Sequence, residues 1–355
     1  MKNKKGDSRL HFEKYDMRLL KSKRSLEMSF AWIFAIIAGS MIILLAIYGA
    51  TRFIGTAQTS QYSESAMNIL NMLNPIVNGI TSATSTKVDF PKETRLYLGC
   101  SMKSEFTSVF GRQTLAFSEQ SNFLKKWPAP GINVSKYNKY IFSNNIEQGK
   151  TFYIFAKPFY MGFRVDDLVF LNAQKYCFVA PPTVIQNEIS LLGLKNVNYT
   201  DSIEKCKDQE VRVCFDFTLD ECDMSVYGEC EDSYCGAIGV YDVGRVEKKN
   251  GKSLYYTGNM IYAAIFSSPE IYECNIKRIS GKINQLSKLY KEKISIVKSK
   301  ECGNAVESYI DEIIYLSENL TSSIKFLELR TPAKLMDEIN CADQDCPVYR
   351  SENCL

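Results

Sequence analysis

The alternation of apolar and polar positions divides the chain into stretches of different period. Met28–Thr51 (MSFAWIFAIIAGSMIILLAIYGAT) runs for 24 residues without a charge. At about 1.5 Å of rise per residue, such a helix crosses a hydrocarbon core about 30 Å thick, so the run predicts a transmembrane helix. It is the only run of its kind in the sequence. Beyond it, Ala66, Ile69, Leu70, Leu73, Val77 and Ile80 recur at helical spacing among Asn, Ser and Gln. They predict an amphipathic stalk helix, broken at Asn74-Pro75. Thr81–Thr86 (TSATST) reads as a short linker.

From Lys87 the period shortens to two. Leu96, Leu98 and Cys100 fall on one strand face, and Phe106–Phe110 with Thr114–Phe117 predict a hairpin about Gly111-Arg112. Tyr137–Ser143 and Thr151–Lys157 predict a second hairpin that turns at Asn144, Asn145 and Gly149. Leu168–Leu171 and Tyr176–Val179 follow as short strands, and Pro182 opens a helix with Ile185, Ile189 and Leu192 on one face. Cys206, Cys214, Cys222 and Cys230, eight residues apart, sit in what reads as a meander of short strands stapled by bridges. Val240–Glu247 and Ser253–Thr257 flank Lys249-Asn250-Gly251, a tight-turn signal.

Past Pro269 the period is helical again. Ile271, Cys274, Ile279, Ile283, Leu286 and Leu289 form one stripe and Val306, Tyr309, Ile310, Ile313, Leu316 and Leu320 another, with a break at Lys300–Gly303. Two antiparallel helices, then a short helix from Pro332 to Cys341, are expected. The expected class is α+β: a basic tail (1–27), a transmembrane helix (28–52), a stalk helix and linker (53–86), a β-rich ectodomain (87–268) and a C-terminal helical region (269–355).

Charge orients the span. Residues 1–27 carry nine Lys and Arg against four Asp and Glu, a net +5, whereas after Arg52 the next basic residue is Lys87. Lys and Arg are retained on the cytoplasmic side, so the N-terminus is expected inside and the bulk outside. The whole chain is +3, which leaves −2 beyond the tail and no broad basic surface for nucleic acid. The span ends in Arg52 and Phe53 rather than in small residues, as an uncleaved signal anchor does. Lys21-Ser22-Lys23-Arg24-Ser25-Leu26-Glu27 nevertheless resembles the class III signal of archaeal pilins. A cut after Ser22 would place Glu27 at the fifth mature position.

All 12 cysteines lie beyond the span: Cys100, Cys177, Cys206, Cys214, Cys222, Cys230, Cys235, Cys274, Cys302, Cys341, Cys346 and Cys354. An even number confined to one side predicts disulfides in an oxidising compartment, with connectivity that spacing leaves open. Asn133-Val-Ser, Asn198-Tyr-Thr and Asn319-Leu-Thr are glycosylation acceptors on the same side.

The single histidine, His11, is in the tail. The exterior therefore holds neither a Ser-His-Asp nor a Cys-His nucleophile system, nor a His-ligated zinc. Ser295–Lys298 and Ser322–Lys325 have Ser-x-x-Lys spacing without the accompanying signatures of that chemistry. Gly149-Lys-Thr and Gly251-Lys-Ser lack the first glycine of a phosphate loop, with Asn144 and Val246 in its place, and read as hairpin turns. Cys230 with Cys235 and Cys341 with Cys346 have loose zinc spacing, and Asp220, Glu221 and Asp223, or Asp343 and Asp345, form no complete calcium loop. No cofactor is expected.

The series Tyr140-Ile-Phe-Ser, Phe152-Tyr-Ile-Phe-Ala-Lys-Pro-Phe, Asp167-Leu-Val-Phe-Leu, Tyr176-Cys-Phe, Met260-Ile-Tyr-Ala-Ala-Ile-Phe-Ser and Ile271-Tyr-Glu-Cys-Asn-Ile-Lys-Arg resembles uncharacterised single-span archaeal membrane proteins with cysteine-rich ectodomains. The resemblance covers most of residues 30–280 and implies an archaeal origin and this topology, with no activity attached. The expected role is that of a non-enzymatic envelope protein held in the lipid bilayer, binding an envelope protein, a glycan or another copy of itself. A pilin-like filament subunit and a carboxylate-based ectoenzyme such as a glycosidase are the alternatives.

Overall fold

The computed structural model describes residues 30–78, 85–102, 110–121, 125–218, 220–229, 241–249, 251–297 and 306–342. The chain forms an α+β fold and divides into two compact units, Met1–Gly55 and Thr56–Leu355. The first helix, α1 (Phe30–Asn78), contributes to both.

Within the first unit α1 exposes its apolar side chains: Phe30 is 83% exposed, Trp32 68% and Leu44 67%. The hydroxyls of Ser40 and Thr51 donate back to the carbonyls of Ile37 and Tyr48, so these polar groups are satisfied within the helix, as a hydrocarbon environment requires. By length and composition this helix is able to cross a membrane.

The second unit holds two mixed sheets. Sheet A has the order β3-β2-β1-β5-β6-β4, from β1 (Ser85–Ser101), β2 (Arg112–Glu119), β3 (Val134–Lys136), β4 (Tyr140–Phe142), β5 (Ile146–Met161) and β6 (Phe163–Asn172). All its pairs are antiparallel except β4 with β6. The pairing of β1 with β5 shifts register between Asp89 and Thr94. Pro91 lies in that gap, and a proline in a central strand cannot donate to the ladder, which forces a bulge.

Sheet B has the order β12-β11-β10-β9-β7-β8, from β7 (Tyr176–Val179), β8 (Val197–Thr200), β9 (Val211–Phe215), β10 (Met224–Glu229), β11 (Val243–Lys248) and β12 (Ser253–Thr257). β8, β7, β9 and β10 run parallel to one another, and β10, β11 and β12 antiparallel. The helices are α2 (Thr183–Leu192), α3 (Met260–Phe266), α4 (Pro269–Val297), α5 (Glu307–Glu318), α6 (Ser323–Phe326) and α7 (Arg330–Ala342).

Two apolar clusters organise this unit. In one, Tyr62, Ala66, Ile69 and Leu70 of α1 pack on Leu96, Leu98, Leu115, Phe117, Phe152 and Ile154 of sheet A. In the other, the opposite face of sheet A, with Phe155 and Phe170, meets Tyr176 and Phe178 of sheet B around α3, whose seven residues are all buried. α4 and α5 are joined by Ser280 Oγ to Ser317 O and Asn284 Nδ2 to Ile314 O, both 3.0 Å, and by the Lys288–Glu318 pair at 2.6 Å.

Several expectations are corrected. Residues 62–70 do not stand off as a stalk but pack on the sheet, because their apolar stripe finds a complementary strand face. The helix continues through Asn74-Pro75 to Asn78. There the proline removes one backbone bond close to the helix end. Part of the expected linker is strand, since β1 begins at Ser85. Tyr137–Ser143 and Thr151–Lys157 are not a hairpin: β5 pairs with β1 and β6, and β4 joins the far side of β6 in parallel. The cysteine segment is not a meander, because β9 and β10 are parallel. Gly149 lies in β5 rather than at a turn. Leu289, placed in the apolar stripe of α4, is 60% exposed. The helix after Pro182 and the strand pair about Gly251 form as expected, with Gly193 (φ +61°) and Gly251 (φ +78°) supplying the left-handed positions. The half of the first expected hairpin at residues 106–109 lies outside the described residues.

Candidate functional site

Among the described residues a cleft of about 320 Å³ opens between the β5–β6 turn, the β11–β12 pair and α7. α7 contributes Arg330, Ala333, Lys334 and Asp337, whose spacing of three, four and seven residues places them on one helix face. Ala333 and Met336 pack inward and anchor that face. The β5–β6 turn approaches it through Gly162, which has φ +77°. A Cβ there would overlap Met336 Cε and lie 3.1 Å from the Ala333 carbonyl, so the turn needs glycine for both its backbone and its close approach.

Opposite α7, Asp242 precedes β11 and forms an ion pair with Arg330, whose side chain is 13% exposed. The Asp242 carbonyl accepts from Gly258 N–H at 2.7 Å, and Asn259 Nδ2 donates to the Pro158 carbonyl at 2.8 Å, which fixes the β12–α3 junction to β5. Thr257 and Tyr160 complete the wall. The cleft thus combines two cations, two carboxylates, the hydroxyls of Thr257 and Tyr160, an amide and the aromatic rings of Phe159 and Tyr160. Such a set of fixed donors and acceptors around an aromatic surface suits a polar ligand with several hydroxyl groups.

Arg278, Glu147 and Lys157, buried outside the cleft, are consumed by the fold. Arg278 is wholly buried and donates to the carbonyls of Phe110 (2.9 Å), Tyr137 (2.7 Å) and Lys139 (2.9 Å), and to Asn275 Oδ1 (2.8 Å) and Gln113 Oε1 (3.3 Å). Burial lowers its pKa to about 10. Glu147, 1% exposed, accepts N–H donors from Asn144 (backbone and side chain) and Ala173. Burial outweighs those donors and pushes its pKa up to about 7. Lys157 pairs with Glu188 at 2.7 Å beneath the Tyr262 ring, and burial lowers the lysine pKa against the opposing effect of Glu188.

Six of the cysteines are bridged: Cys100 to Cys274, Cys177 to Cys206 and Cys214 to Cys222. Cys230, Cys235, Cys302, Cys346 and Cys354, and the side chain of Cys341, lie outside the described residues, as do His11, Lys298, Asp343 and Asp345. Asn133, Asn198 and Asn319 are all exposed. Asp223 Oδ2 accepts from Arg212 N–H at 2.9 Å. Among the described residues no group of three or more His, Cys, Asp or Glu is placed to hold a metal ion. Ser295 Oγ donates to the Glu292 carbonyl, and Ser322 precedes α6 as its N-cap. The residues of the cleft were not singled out in the sequence. The charged and small residues Arg330, Ala333, Lys334 and Asp337 at helical spacing were its one signal, and β5, β11 and β12 reach the cleft only through tertiary folding.

Comparison with protein-family models, with curated proteins and with solved structures finds no match for the chain.

Proposed function

We propose that the chain is a single-span membrane protein of the cell envelope, with residues 28–51 in the bilayer, the N-terminus in the cytoplasm and the bulk outside. There it binds a polar saccharide in the cleft of Asp242 and Arg330 without cleaving it. One observation carries the placement: an exposed, uncharged helical segment leads into a unit closed by disulfides, the combination expected of an anchor facing an oxidising space. The chemistry of the cleft supports binding, because its donors and acceptors come from three separate elements brought to one recess, with the β12–α3 junction bonded to Asp242 and Pro158.

Protease treatment of intact cells, followed by peptide mapping with and without reductant, tests the placement. Release of disulfide-linked peptides is expected, and a protected bulk with alkylatable thiols overturns the reading. For the cleft, the full chain in detergent is titrated with neutral and acidic oligosaccharides. Asp242→Ala is expected to weaken binding at least tenfold, and new reducing ends during the titration would replace binding by a carboxylate-based hydrolase.

A filament subunit is the second reading. It is favoured by the packing of Tyr62, Ala66, Ile69 and Leu70, which follow the apolar run, on a sheet. N-terminal sequencing separates the two: an intact Met1 removes the filament, and a new terminus at Lys23 supports it.

A further inference from the structure

Two six-stranded sheets have four edge strands, and an uncovered edge is a template for pairing with another chain. Side chains of the fold close two of them. On β12, Tyr255 N–H donates to Ser323 Oγ at 3.3 Å and its carbonyl accepts from Tyr272 Oη at 2.5 Å. On β4, Ile141 N–H donates to Gln113 Oε1 at 2.8 Å, and its carbonyl accepts from Asn275 Nδ2 at 2.9 Å and from Gln113 Nε2. These bonds satisfy the outward backbone groups that a neighbouring strand would otherwise use.

β3 and β8 are treated differently. Among the described residues no side chain bonds to the backbone of either. Instead each carries an Asn-x-Ser/Thr triplet: Asn133-Val-Ser runs into β3, and Asn198-Tyr-Thr lies in β8. Both asparagines are exposed. In an extended chain residues two apart share a face, so Ser135 and Thr200 lie on the same side as their acceptor amides. Asn198 Nδ2 donates to Glu210 Oε1 at 3.0 Å. A primary amide has two hydrogens, so that bond survives substitution of the other.

We propose that Asn133 and Asn198 are N-glycosylated and that their glycans cover these two sheet edges, at which no described side chain bonds to the backbone. The proposal rests on the placement of this unit outside the membrane. Each Asn nitrogen attacks C1 of a saccharide carried on a polyprenyl phosphate lipid. The N–C1 bond forms, the bond from C1 to the phosphate oxygen breaks, the phosphorylated lipid departs with the electron pair, and one amide hydrogen leaves as a proton. The bulky, hydrated product excludes a second strand from β3 or β8.

The test is peptide mass mapping of the full chain from its native membranes, with protease treatment of intact cells in parallel. Saccharide mass on the peptides holding Asn133 and Asn198 is expected. An accessible unit with both asparagines unmodified overturns this proposal alone, whereas an inaccessible unit overturns it together with the placement. The Asn133→Gln/Asn198→Gln double variant, and separately Ser135→Ala/Thr200→Ala, are then compared by light scattering in detergent, with the Cys177–Cys206 bridge as the check on folding. At least a doubling of particle mass is expected in both. Glycosylated wild type with monodisperse, correctly bridged variants would overturn the edge-covering role.

Discussion

Replacing Arg278 by methionine isolates the largest fully buried polar side chain among the described residues. The side chain is fully buried, and its guanidinium makes five hydrogen bonds, none of them to a carboxylate. Two effects oppose each other. Methionine removes a charge whose desolvation costs several kcal/mol, as the lowered arginine pKa reflects. It also strands three carbonyls and the Asn275 amide oxygen, whose bonds to a charged donor are worth about 1.5–3 kcal/mol each, while Gln113 Oε1 keeps the Ile141 N–H. The bonds win, because their sum exceeds the desolvation penalty and the acceptors remain behind. Stranded neutral acceptors cost about 1–3 kcal/mol each, so after the relieved desolvation is subtracted the net loss is about 4 kcal/mol, a large share of the stability of an ordinary domain. With an m-value of about 6 kcal/mol/M in guanidinium, the midpoint should fall by about 0.6 M. The assay is a guanidinium titration of the oxidised full chain in detergent, followed by near-UV circular dichroism. Arg278→Lys should do no better, since a single ammonium cannot reach acceptors spread over Phe110, Tyr137 and Asn275. A methionine variant as stable as wild type, or a lysine variant indistinguishable from it, refutes the reasoning.

Two further outcomes follow from buried groups and bridges. Burial holds the Glu147 pKa at about 7 in the folded chain, above the ordinary glutamate value, so ionisation opposes folding. The penalty is absent below the unfolded pKa of about 4.5, grows by about 1.4 kcal/mol per pH unit up to about 7, and is constant above. Glu147→Gln, which loses the Ala173 N–H bond at every pH but carries no ionisation penalty, should therefore be less stable at pH 5 and flatter between pH 5 and 7 in thermal melts; an unchanged slope would count against this. The Cys100–Cys274 bridge closes a loop of 174 residues and Cys214–Cys222 one of 8. Loop-closure entropy assigns them about 5 and about 2.5 kcal/mol. Paired Cys→Ser variants compared by guanidinium midpoint should preserve that order, and equal losses would exclude an unfolded-state origin.

The elements legible in the sequence are those with one buried and one exposed face. Ile185, Ile189 and Leu192 declare the helix after Pro182, and Lys249-Asn250-Gly251 declares the turn between β11 and β12. Helix α3 carried no such mark: MIYAAIF is apolar on every side because sheets and helices surround it, and a helix without a polar face has no period to read. Partner choice was equally hidden. β5 carries a strand pattern whichever neighbour it takes, and only the bulge at Pro91 and the edge position of β4 reveal that it pairs with β1 and β6.

The cleft shows the same division. Arg330, Lys334 and Asp337 share a face by helical geometry alone, but Asp242, Asn259 and Gly162 are remote from them in the chain and say nothing in sequence about a common site.

By itself the sequence determined the long apolar helix, the α+β character and the concentration of cysteines beyond that helix. These follow from composition and period, which are local properties. Strand order, parallel pairing, which cysteines join and which charges face one recess were decided only in three dimensions. They depend on how buried faces match one another, and a face carries its apolar pattern without naming the surface it will meet.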